Sequence, residues 1–140
     1  MSFRYLEHTA DILFEAEALT VEELFCEAGK ALGNSMIDLK AVEGKQEKTI
    51  ELEDESIEFL LHAFLEQVLY LMETELIAFN DFDVKVNEKQ GKFYLKAIAF
   101  GEKIDKARHE LKADVKAVTW EYFKLGQEKG KWKCKVLLDV

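Results

Sequence analysis

The chain reads as an α+β fold: one compact domain, residues 1–140, with two helices packed on a largely antiparallel or mixed β-sheet of about seven strands. Three observations predict this. Two stretches carry apolar residues at helical spacing, and the second is apolar around most of its girth. Two pairs of alternating stretches in the C-terminal half flank turn-forming residues, as antiparallel hairpins do. No composition shift, low-complexity tract or internal repeat divides the 140 residues, a length that suits a single core.

Residues 3–6 and 11–17 are strand-like and surround a turn at His8-Thr9-Ala10. Thr20 then opens a helix, with Glu23 three residues on in capping-box spacing. Val21, Leu24, Phe25, Ala28, Leu32 and Met36 form its apolar face, and either Gly33-Asn34 or the Asp38 region ends it. A charged loop around Glu43-Gly44-Lys45 leads to a short strand, Ile50 to Glu53. The longest helix spans about residues 55–74; Glu58, His62, Glu66 and Glu73 mark its narrow polar side. So apolar a helix packs on more than one side and is expected at the centre of the core.

Strands at about 77–87 and 92–100 follow, joined by a turn over Asn87 to Gly91. The second of these is partly apolar on both faces, which suits an interior strand. Beyond a charged loop over 101–112, a second hairpin is expected from 113–123 and 131–138, turning around Gly126 and Gly130. In the last strand Trp132, Cys134, Val136 and Leu138 share the core face. Parity therefore puts Asp139 on the face of Lys131, Lys133 and Lys135.

Composition excludes several function classes. With 49% apolar and 34% charged residues the chain is an ordinary globular domain, and it contains no proline. It has neither an apolar run near the roughly 20 residues of a membrane span nor a signal-peptide pattern at its start. A cytoplasmic location and no membrane association are expected. Two cysteines, Cys26 and Cys134, form neither a disulfide framework nor a zinc motif and read as buried, reduced, small apolar residues. Acidic residues outnumber basic ones, 28 to 19, for a net charge of -9. That sign opposes tight, direct nucleic-acid binding and suits contact with a basic protein.

The carboxylates near the two ends carry the most chemical information. Asp11 and Asp139 each sit where a strand should run, and aspartate is depleted in strands. If their strands were neighbours, Asp11, Asp139 and the terminal carboxylate of Val140 could converge on a hard cation such as calcium or magnesium. From the residues alone, a turn-capping Asp11 and a frayed, solvated Asp139 is the plainer account. His8 could orient a carboxylate or accept a proton, although a His at such a place more often fixes a turn. His62 and Glu66 stand at i, i+4, with Glu58 one turn earlier, but His-Glu-x-x-His is absent and a polar helix stripe explains them better. Arg108, beside Asp105 and His109, could pair bidentately with a carboxylate of this chain or of a partner. No phosphate loop, nucleophile elbow or basic aromatic stretch is present. An enzyme is therefore the weaker expectation, a small metal-dependent hydrolase being its one form.

Four segments, in this order, resemble one known family: His8 to Asp11 after Tyr5-Leu6-Glu7, Gly101 to His109, Val115 to Thr119, and Val136 to Val140. Together they make the chain similar to the archease family from about residue 3 to 140. Two places depart from the family pattern: Trp120-Glu121 stands where Tyr-His is usual, and Ala63-Phe64-Leu65-Glu66-Gln67 where Asp-Trp-Leu-Asn-Glu is usual. The resemblance implies a compact helix-on-sheet fold and an accessory protein, not an enzyme. It would activate the GTP-dependent RNA ligase of tRNA splicing and RNA repair, promoting guanylylation and multiple turnover. The resemblance also implies that Asp11 and Asp139 are metal ligands, with Val140 completing the site. The expected cofactor is a divalent cation, calcium first and magnesium or manganese next. An alternative it also allows is a chaperone or specificity modulator of a tRNA methyltransferase.

Overall fold

Two antiparallel sheets share one apolar core with two helices. The computed structural model describes residues 1–8 and 10–140, so Thr9 of the expected turn lies outside the described residues. In chain order the elements are β1 (Ser2–Leu6), β2 (Ile12–Ala18), α1 (Val21–Met36), a 3-10 turn (Leu39–Ala41), β3 (Gln46–Asp54), α2 (Ile57–Glu75), β4 (Ile77–Lys89), β5 (Lys92–Lys103), β6 (Ala117–Val118), β7 (Lys124–Glu128) and β8 (Lys131–Asp139). One sheet runs β1-β2-β8-β6, with β7 also paired to β8; the other runs β3-β5-β4.

Both helices start where their caps dictate. The Thr20 hydroxyl accepts the Glu23 N–H at 3.1 Å, and the Ser56 hydroxyl accepts that of Phe59 at 3.0 Å. Helix α1 packs against β4 and β2 and so bridges the two sheets. Helix α2 buries Leu60, Leu61, Phe64, Leu65, Val68, Leu69, Leu71 and Met72 and is the central core element. Each such side chain contributes about 1.5–3 kcal/mol of burial. Strand β5 is interior, as its two-faced apolarity predicts, with Leu95, Ala97 and Ala99 turned to the core. Its hairpin with β4 closes over Gln90 and Gly91, both at positive φ (53° and 80°); glycine takes the second without strain.

Four expectations need correcting. The strand expected at Ile50 to Glu53 extends over Gln46–Asp54, because it pairs along its whole length with β5. Residues 101–103 belong to β5, not to the loop. The stretch 113–123 is not a strand: only Ala117–Val118 pairs, and the hairpin partner of β8 is β7. The free edge of β8 is shared between β6 near its end and β7 near its start. A turn between those two, with Tyr122 at φ 60° and the Phe123 N–H bonded to the Trp120 carbonyl, breaks the continuity. Gly126 accordingly lies within β7, and the turn falls at Lys129-Gly130. Finally, His62 is not on a polar stripe but is buried.

Candidate functional site

Strands β2 and β8 bring the ends of the chain together. Their pairing runs from Ala18↔Trp132 to Ile12↔Leu138; Asp139 is the last residue of β8, and Asp11 lies in a bend just before β2. Asp139 is held by β6: it pairs with Ala117, and its carbonyl accepts the Lys116 N–H at 2.7 Å. The terminus is therefore not frayed up to Asp139, because β8 lies inside its sheet with neighbours on both sides. Asp11 is half-buried, while Asp139 and Val140 are exposed. On the same face of β8 as Asp139, Leu137 is buried, so the lysine alternation stops at Lys135.

Aspartate carboxylates are oxygen donors, a type that suits a hard cation. Among the described residues no three His, Cys, Asp or Glu side chains cluster as a metal-holding group. His8 is exposed, and its ring meets the edge of Tyr122 at 5.9 Å.

Beside this end lies an aromatic cluster that the sequence reading missed. His62 stacks on Trp120 with ring centroids 3.8 Å apart and planes 8° from parallel. Phe59 and Phe123 meet Trp120 edge-on at 5.2 and 5.1 Å. The His62 Nε2 lies 2.8 Å from the Val118 carbonyl, and Nδ1 lies 3.0 Å from a Glu66 carboxylate oxygen. Both partners are hydrogen-bond acceptors. The hint in the sequence was that His62 sits between Leu61 and Ala63, within the apolar girth of α2 rather than outside it.

The Gly101 to His109 segment is a packed lock. Glu102 ends the buried part of β5, pairs with Arg108 and accepts the Glu43 N–H. His109 is buried; its Nδ1 accepts the Asp105 N–H at 2.9 Å, and Nε2 lies 3.2 Å from the Ala41 carbonyl. The carboxylate expected for Arg108 thus comes from this chain. Cys26 and Cys134 are free thiols, the second buried and the first half-buried rather than buried. Burial pushes them up to about 11 and about 12 respectively, so neither is an activated nucleophile.

Comparison with known proteins gives a single answer. Residues 3–140 match the archease protein family. Proteins named archease from Pyrococcus furiosus and Methanosarcina mazei are each 39% identical over 139 residues, which is 99% of this chain and 98% and 95% of theirs. The solution structure of Methanobacterium thermoautotrophicum protein 1598 superposes with a TM-score of 0.89 at 36% identity, covering 99% of this chain and 98% of that one. The crystal structure of an archease, described as a possible chaperone, from Thermotoga maritima shares the fold, with a TM-score of 0.62, 21% identity and coverage of 96% and 94%. No helix among the described residues is long and apolar enough to cross a membrane. With its whole described length matched in sequence and in fold, the chain belongs to the archease family.

Proposed function

We propose that this protein is an accessory factor, not itself an enzyme, that activates a GTP-dependent RNA ligase. That ligase joins 2′,3′-cyclic-phosphate or 3′-phosphate ends to 5′-hydroxyl ends in tRNA splicing and RNA repair. The observation that supports the reading is the β2–β8 pairing, whose last pair, Ile12↔Leu138, is followed directly by Asp139 and preceded directly by Asp11. Family membership supports the same role. Asp11, Asp139 and the Val140 carboxylate would hold a divalent cation, calcium before magnesium or manganese. When bound, the cation would neutralise three crowded carboxylates and offer its open positions to a partner.

The alternative use of the same residues is to complete the coordination of a metal inside the ligase, which an exposed chain end can reach. In either use the chain's own contribution would be to present one carboxylate at the end of β8 and one just before β2, two inner strands paired with each other. The net charge of -9 fits a protein partner better than direct binding of RNA. The test is multiple-turnover RNA sealing with wild type, Asp11→Asn and Asp139→Asn, each checked for fold by circular dichroism. Both variants should stay folded and lose stimulation. Equal stimulation by both would sink the reading. If the variants instead protected a tRNA methyltransferase from aggregation as well as wild type does, the modulator reading would replace it.

A further inference from the structure

Phe59, Trp120 and Tyr122 are 51%, 52% and 53% exposed, an unusual state for large aromatic residues; Phe59 meets Trp120, and Tyr122 follows Trp120 by two residues. They are not loose. Trp120 is fixed from beneath by the His62 stack and from the sides by the edges of Phe59 and Phe123. Tyr122 is braced by the ring of His8. An exposed aromatic shelf that is already ordered loses little entropy when it binds, which is the property of interface anchors.

The chemistry around the shelf selects its occupant. In the two stretches that build it, 55–66 and 119–124, the charged residues are Glu55, Glu58, Glu66 and Glu121 against Lys124; Lys133 and Lys135 of β8 line the hollow beside Glu58 and Phe123, away from Glu121 in sequence. All four acids are exposed. A planar cation can lie on an indole face while its N–H groups reach carboxylates at the rim, and guanidinium does both better than ammonium. The shelf is also continuous with the carboxylate end. Trp120 follows β6, the strand that pairs with Asp139, by two residues, and Tyr122 touches His8, three residues before Asp11.

We infer that Phe59, Trp120 and Tyr122 form a docking shelf for a basic segment of a partner protein, with an arginine side chain seated on Trp120. This deepens the accessory-protein reading, since it names the surface that would bring a partner to Asp11 and Asp139. Its primary test does not depend on that reading.

Isotope-labelled protein is titrated with a short end-blocked peptide of alternating arginine and glycine, then with its lysine counterpart and with a single-stranded RNA oligonucleotide. The expected result is shifts of the Trp120 indole and of amides at 59 and 119–123, at least tenfold weaker for the lysine peptide. Trp120→Ser should weaken arginine-peptide binding at least tenfold. Because that variant uncovers His62, the double variant Glu58→Lys/Glu121→Lys, which leaves the stack in place, should weaken it as much. No shift at the shelf, shifts confined to the acidic outer face of β3, or preference for the RNA would overturn the inference. Asp139→Asn should bind the peptide like wild type. Peptide binding without ligase stimulation by the wild type would count against the activator reading alone. Ligase stimulation unchanged by the shelf variants, with peptide binding abolished, would overturn the shelf as the docking surface.

Discussion

His62 and Trp120 stack face to face, one buried and the other half-exposed, so the packing of the core continues through that pair to the surface. The Nε2 contact to the Val118 carbonyl also ties α2 to β6, the short strand that flanks Asp139. His62→Leu keeps much of the volume but leaves the Val118 carbonyl without that partner. The expected loss of stability is about 1–3 kcal/mol, measured by urea unfolding, together with a change in Trp120 fluorescence. Unchanged stability and emission would mean that the stack is incidental.

Gly101 should tolerate no side chain. It pairs with Gln46 on one side and Phe79 on the other, next to the register shift in β4 between Phe79 and Asp81. An added Cβ would collide with the Ala78 carbonyl and lie 2.9 Å from Phe79 Cα, and backbone on a neighbouring strand cannot swing aside. Gly101→Ala is expected to lose about 3 kcal/mol or more, read as a large drop in unfolding midpoint. The glycine that opens the family-like segment therefore has a steric reason to be there.

Glu102→Gln should loosen two loops at once. The carboxylate holds Arg108 on one side and the Glu43 N–H on the other. Arg108 is nearly half-exposed, so solvent weakens the pair and the expected loss is about 1–2 kcal/mol. Hydrogen exchange should quicken at residues 41–43 and 105–109 and stay unchanged in α2.

The thiols give a pH prediction. Burial raises Cys26 to about 11 and Cys134 to about 12 from the ordinary 9.0. Between those values the folded state keeps protons that the unfolded state has lost. Their contribution to stability is thus fully present below pH 9 and falls as pH rises toward 11–12. Near pH 8 both thiols should react with a thiol-specific disulfide reagent far more slowly in folded protein than in urea. Equal rates would contradict the burial.

Local features were legible in the sequence, and long-range ones were not. The Thr20 cap, the apolar stripe of α2 and the turn ending at Gly91 act through contacts within a few residues, so spacing alone placed both helices and the β4–β5 hairpin. The alternation over 113–123 misled because pairing depends on which edge is free, and the edge of β8 is shared by two short strands. His62 was misjudged because a polar residue on an apolar helix reads as exposed until Val118 and Trp120 supply partners from 56 or more residues away. At the chain ends the sequence marked Asp11, Asp139 and Val140 by residue type. The β2–β8 pairing beside them joins residues from opposite ends of the chain and leaves no mark in local spacing.

The most direct measurement is the guanylylation rate of the cognate RNA ligase with GTP and divalent metal, with and without substoichiometric amounts of this protein. Wild type is compared with Asp139→Asn, a change at an exposed side chain that leaves the β8 backbone pairing intact. The account predicts acceleration by wild type and none by the variant. Equal acceleration by the two, or none by wild type with a ligase shown to be competent, would contradict it.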